Sequence, residues 1–184
     1  MIKLVTNMND FQKNGYLLVP KLIDTSTYFK FFRKLVETGR GEIEEKIQVP
    51  GSIGFYKNPL FEKLLEHLLP KMEAHTGHEL YKTYSYARQY EIGHELKPHR
   101  DREACEITAT LALGFEGEVW PIWVEDRSKE HHSFLLHAGD ALIFSGRELL
   151  HWREENQNGS CSQVFLHYVD RHGCYAHFRD DAPA

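Results

Sequence analysis

The chain has 184 residues, 41% hydrophobic and 27% charged, with a net charge of -5 and three cysteines. That is long enough for one real hydrophobic core. The negative balance, with no Lys/Arg-rich run, disfavours a nucleic-acid partner, whose phosphates need neutralising. No apolar run reaches the ~20 residues of a membrane span, and the start lacks a charged-then-apolar signal pattern. Cys105, Cys161 and Cys174 form no C-x-x-C, so neither a disulfide framework nor a zinc knuckle is indicated. A cytoplasmic protein with small buried thiols is expected.

Taken in chain order, the first strong periodicity is helical. Asp24-Thr25-Ser26 offers N-cap oxygens before a stripe of Tyr28, Phe29, Phe31, Phe32, Leu35 and Val36, and Gly39 ends it. Arg40 to Lys57, with Gly41, Pro50, Gly51 and Gly54, reads as a loop long enough to serve as a lid. A second helix starts at Asn58-Pro59. It carries Phe61, Leu64, Leu65, Leu68, Leu69 and Met72 inward and stops at Gly77, with Pro70 kinking or splitting it.

From Leu80 the texture changes to short β-branched and aromatic runs. Strands are expected near Tyr81–Glu91, Lys97–Arg100, Glu106–Leu113, Val119–Val124, Ser133–Leu136, Ala141–Phe144, Leu149–Arg153 and Gln163–Val169. Eight short strands at this spacing suggest an all-β sandwich or barrel. The expected fold is mainly β, a jelly roll with flanking N-terminal helices. It forms one domain over 1–184, helical in 1–79 and jelly-roll in 80–170.

The chemistry concentrates in His99-Arg100-Asp101 and in His151, 52 positions on. His99 and Asp101 are two apart, so on an extended strand they leave from one face. A third imidazole from a distant strand would complete two histidines and one carboxylate with other positions open. That is the ligand set of non-haem Fe(II) oxygenases.

The run Tyr90-Glu91-Ile92-Gly93-His94-Glu95-Leu96-Lys97-Pro98-His99-Arg100-Asp101 resembles the metal-binding strand of the Fe(II)/2-oxoglutarate-dependent dioxygenases, particularly their prolyl-4-hydroxylase-like branch. His137 to Phe144 is similar to the family's approach to its distal histidine, and His151 falls where that ligand belongs. Phe11 to Pro20 resembles the opening segment of many such oxygenases. The resemblance implies a double-stranded β-helix holding Fe(II) on His99, Asp101 and His151. It further implies 2-oxoglutarate as cosubstrate, dioxygen, and hydroxylation of a C–H bond with release of succinate and CO2. The presence of Asp101 points to hydroxylation, since halogenating relatives lose that carboxylate. An amino-acid, peptidyl or small-metabolite substrate is expected.

One departure stands out. The branch places a Lys or Arg about ten residues after the second histidine, and this chain has Cys161 there, followed by Ser162 and Gln163. A carboxylate is not buried without compensation. Arg88, two before Tyr90 on the same strand face, is the expected cation, with Tyr90 as hydrogen-bond partner. Arg153, two after His151, is the alternative, and Ser162 or Gln163 would add hydrogen bonds.

Other motifs are weaker. His94-Glu95-Leu96-Lys97-Pro98-His99 mimics the H-E-x-x-H of zinc peptidases, but its histidines are five apart and Pro98 breaks the helix that motif needs. His131-His132 reads as a solvated turn. Trp120 and Trp123 read as core, and Trp152 as pointing away from the metal. Arg102, Glu106 and Arg147 are expected near the cavity mouth. Two rival readings remain: a non-catalytic metal-binding jelly-roll module, and a cupin-like metalloenzyme that does not use 2-oxoglutarate.

Overall fold

Two antiparallel sheets face each other in the computed structural model of the chain, which describes residues 8–44, 48–157 and 159–182. The N-terminal part runs α1 (Met8–Asn14), β1 (Tyr16–Val19), α2 (Ser26–Glu37), β2 (Glu42–Ile43), β3 (Ile53–Tyr56) and α3 (Pro59–Thr76). Then come β4 (Leu80–Tyr90), β5 (Leu96–His99), β6 (Ile107–Gly117) and β7 (Ile122–Glu125). The last strands are β8 (His131–Phe134), β9 (Ala141–Ser145), β10 (His151–Arg153) and β11 (Gly159–Asp170).

The larger sheet is ordered β1-β9-β6-β11-β4-β3-β2 and the smaller β5-β10-β7-β8. From β4 to β7 the chain alternates between the sheets, and again from β8 to β11. This is the expected jelly roll, or double-stranded β-helix.

Side-chain alternation divides the larger sheet into two faces. On β4, Ala87 packs outward toward the helices, while Tyr84, Tyr86, Arg88 and Tyr90 line an internal cavity. The outward face meets Phe32 of α2 and Phe61, Leu64, Leu65, Leu68 and Met72 of α3 in the main core. A second core lies between the sheets, built from Ile122, Val124, Leu142, Phe144 and Leu149.

Phe61 is fully buried, with Phe32, Phe31 and Tyr28 ring centroids 5.9, 6.3 and 6.5 Å away. Phe61→Ala is expected to destabilise the fold by about 3–5 kcal/mol, read from urea unfolding.

Several expectations are corrected. The segment 1–79 is not purely helical, since β1, β2 and β3 all join the larger sheet. The lid from Arg40 to Lys57 is largely an edge hairpin: Ile53↔Gln89 and Tyr56↔Tyr86 pair β3 to β4, and Glu42↔Gly54 pairs β2 to β3. Its residues 45–47 lie outside the described residues. Helix α3 continues through Pro70 without splitting. Its Asn58 side chain caps Leu60 N and Gly77 ends it in a left-handed conformation (φ 75°), as the sequence suggests. His131-His132 begins strand β8 instead of forming a turn.

Candidate metal centre and its cavity

His99 ends β5 and pairs directly with His151 of β10. The strand stops one residue earlier than expected, so Asp101 sits in the following turn, held by its N–H to Gly146 O at 2.8 Å. One donor atom from each of the three side chains lies within 4.8 Å of the others.

Each ligand candidate is oriented from behind. Nδ1 of His99 faces Lys97 O at 2.9 Å and Nδ1 of His151 faces Leu149 O at 3.1 Å. A carbonyl only accepts, so both Nδ1 atoms carry the proton and both Nε2 lone pairs are free. Those Nε2 atoms stand 3.7 and 3.5 Å from one carboxylate oxygen, Asp101 Oδ1. The other oxygen, Oδ2, accepts from Thr108 Oγ1 at 3.1 Å. Thr108 in turn meets His167 Nδ1 at 3.0 Å. Because the carboxylate can only accept, the order is His167 N–H to Thr108, and Thr108 O–H to Asp101.

Electrostatics agree with this order. Burial works to raise the Asp101 carboxyl, but His151, His167 and His99 outweigh it and hold the group well below the usual carboxylate range. Burial pushes His99 down, and pushes His167 down to about 4. Two neutral nitrogens and one carboxylate oxygen converging, each supported by an outer hydrogen bond, fit Fe(II). Gly146 is needed here: a β-carbon would stand 2.5 Å from Asp101 Oδ2.

Asp101, Cys105 and His167 also bring donor atoms together. That set fits a metal poorly. Burial pushes the Cys105 thiol up to about 12, and its Sγ already meets the Tyr84 hydroxyl at 3.0 Å.

The triad opens on a cavity of about 510 Å³ whose walls include Tyr84, Tyr86, Arg88, Tyr90 and Phe165. Arg88 lines it, but its charge is already met: Nη2 lies 2.6 Å from Glu44 Oε2 and Nη1 donates to Gln48 at 3.3 Å. Arg153 differs. It is 1% exposed, its Nη1 donates to Trp120 O, and its guanidinium lies 4.9 Å from the Trp120 ring centroid. Among the described residues its Nε and Nη2 have no partner, and neither does the hydroxyl of the fully buried Tyr90. Among the described residues no carboxylate pairs with Arg153.

Cys161 is buried with Tyr90, Trp120 and Leu96, and Arg153 feels both Cys161 and Tyr90. A small thiol at 161 thus lies beside a guanidinium reaching across from β10. Ser162 faces the other way and bonds Gln89, outside the cavity. Gln163 is tied to Cys161 Sγ at 3.1 Å and to Thr110 at 3.2 Å.

Of the expected mouth residues, Arg102 lines the cavity, whereas Glu106 and Arg147 border a different one. Trp152 points away as expected and stacks on Trp123 at 6.0 Å. Sequence reasoning missed Thr108 and His167. The signal was present: His167 shares the inward register of Cys161 and Phe165 along β11.

Thr108→Val removes the hydroxyl at nearly constant shape and leaves Asp101 Oδ2 unsupported. Metal affinity, read by Co(II) titration, is expected to fall ~10–100-fold, with Thr108→Ser retaining it.

No family model matches the chain, and no curated protein does. Among solved structures, the non-haem alpha-ketoglutarate-dependent epimerase SnoN from nogalamycin biosynthesis superposes with TM-score 0.76 at 17% identity, covering 89% of this chain and 81% of that one. A Pseudomonas putida prolyl-4-hydroxylase gives TM-score 0.71 at 13% identity over 90% of this chain and 97% of that one. HygX from Streptomyces hygroscopicus, with nickel and 2-oxoglutarate bound, gives 0.71 at 13% over 93% and 89%. These likenesses establish the fold that the strand order describes.

Proposed function

We propose that this chain is an Fe(II)/2-oxoglutarate-dependent dioxygenase that hydroxylates a C–H bond of an amino-acid, peptidyl or small-metabolite substrate. The observation that carries the reading is the convergence of His99 Nε2, His151 Nε2 and Asp101 Oδ1 on a cavity whose wall includes Tyr90, with the buried Arg153 behind that wall and without a carboxylate partner among the described residues. His99, Asp101 and His151 would hold Fe(II). Bound there, the metal supplies oxygen activation coupled to oxidative decarboxylation of 2-oxoglutarate to succinate and CO2.

The protein's own contribution is placement. Lys97 O and Leu149 O fix both imidazole tautomers, and Thr108 fixes which carboxylate oxygen faces inward. Arg153 and Tyr90 offer three unused donors for the distal carboxylate of the cosubstrate. An ionised guanidinium buried without an anion is costly, so a dicarboxylate ligand supplies what the pocket lacks. Arg88, the cation favoured from sequence, keeps the supporting place beside Tyr90, its guanidinium 5.8 Å from that ring's centroid. Phe144 and Phe165 give the cavity apolar walls that limit water. The three solved structures described above, two alpha-ketoglutarate- or 2-oxoglutarate-associated by name and one a hydroxylase, support the same chemistry. No described helix is long and apolar enough to cross a membrane.

The test is anaerobic addition of Fe(II) and 2-oxoglutarate to the metal-free protein. A visible charge-transfer band of a chelated keto acid is expected. Metal binding without that band would overturn the cosubstrate assignment and favour a metal-binding module or a cupin-like enzyme.

A further inference from the structure

The mouth of the cavity ends in a second cationic site, separate from Arg153 and Arg88. Arg102 follows the metal-binding turn, and its guanidinium lies 4.6 Å from the Tyr84 ring centroid while Nε donates to the Tyr84 hydroxyl at 3.3 Å. Tyr56 of β3 stands beside them, its ring 5.2 Å from that of Tyr84. All three line the cavity that holds His99, Asp101 and His151.

One carboxylate fills this site, and it comes from the chain itself. Asp181 Oδ1 accepts from Arg102 Nη2 at 2.7 Å, Oδ2 accepts from the Tyr56 hydroxyl, and the side chain is only 9% exposed. Each oxygen is therefore taken by a different cavity residue over an aromatic shelf.

The segment that delivers Asp181 is an irregular turn with two left-handed aspartates. Asp180 and Asp181 have φ of 55° and 56°, left-handed values that non-glycine residues seldom adopt. The turn Ala176–Asp181 breaks its helical path at Arg179. Lys57 Nζ donates to Asp180 O at 3.0 Å and Lys82 Nζ lies 3.4 Å from Asp180 Oδ1, so two lysines anchor the segment at the residue before Asp181.

We propose that Arg102 and Tyr56 form a subsite for a substrate carboxylate, and that Asp181 occupies it until substrate arrives. The prime substrate is then a molecule that carries a free carboxylate, such as a free amino acid. Exchange keeps Arg102 paired throughout and releases Asp181 to water, where a carboxylate is well solvated. The position next to Asp101 in sequence brings the rest of such a molecule toward the metal ligands. The inference rests on the dioxygenase reading for the fate of the substrate, but recognition itself needs neither metal nor cosubstrate.

The test is calorimetric titration of the metal-free full chain with hippurate and with its neutral twin, hippuramide. Asp181→Asn is expected to bind hippurate at least ~10-fold more tightly than wild type, the worth of about 1.4 kcal/mol, with hippuramide unchanged. Asp181→Ala should behave likewise, and adding Arg102→Gln should erase the gain while Arg153→Gln does not. An unchanged hippurate affinity in both Asp181 variants would overturn the proposal. So would an equal gain for hippuramide, which would mean a loosened mouth only, or a gain erased by Arg153→Gln. Failure of the dioxygenase reading would appear instead in the anaerobic spectrum and leave these titrations intact.

Discussion

Asp101→Ala is expected to give a folded protein that neither retains Fe(II) nor forms succinate. Two neutral imidazoles alone offer no charge to offset a divalent cation, and the third donor is gone. Losing a supporting hydrogen bond at such a site costs ~10–100-fold in affinity, so losing the ligand itself should cost more than about 100-fold. Co(II) titration measures this, with circular dichroism reporting the fold. His151→Ala should match it, whereas Cys105→Ser should leave metal affinity unchanged. If Cys105→Ser lost the metal and His151→Ala kept it, the ion would belong to Asp101, Cys105 and His167 instead.

Arg153→Gln is expected to produce two changes of opposite sign. The cosubstrate requirement should rise by roughly 30-fold or more, because truncating one partner of a buried charge pair costs ~2–5 kcal/mol. At the same time the ligand-free protein should become more stable to urea, since an uncompensated buried guanidinium is removed. A merely structural arginine would give a loss of stability. Arg88→Ala, whose partner is already Glu44, should change the cosubstrate requirement far less. A steep rise with Arg88→Ala and none with Arg153→Gln would return the assignment to Arg88. Succinate formation against 2-oxoglutarate concentration reads both variants.

The metal triad was legible because its pieces are local: a Pro-His-x-Asp run and a histidine opening a short strand. The approximate positions of the strands in the second half followed from β-branched and aromatic runs bounded by turn residues, whereas their order in the two sheets did not. The edge hairpin was not legible. Its strands are two and four residues long, and Gly41, Pro50, Gly51 and Gly54 speak for a loop. Only pairing with β4 makes it a strand, and Gly54 permits that pairing because a β-carbon there would strike the Tyr86 hydroxyl. The choice between Arg88 and Arg153 was equally closed to sequence. Both share a strand face with a site residue, and the difference lies in Glu44, a carboxylate 44 positions away from Arg88. Thr108 and His167 were hidden for another reason. Neither belongs to a motif, and each acquires meaning only when β6 and β11 pair them across one rung.

The proposed distal cation, Arg153, would share β10 with the candidate metal ligand His151, and that proposal has a geometric consequence. His151 and Arg153 are two residues apart on one strand, a fixed rise of roughly 6.6 Å. On that proposal, one part of the spacing between metal site and cation is set by a single backbone segment, and the rest by the pairing of β10 with β5, which brings in His99. Such a ruler measures the carbon chain of any keto diacid laid along it. A keto diacid one carbon shorter, as in oxaloacetate, or one longer, as in 2-oxoadipate, is then expected to be used less well than 2-oxoglutarate.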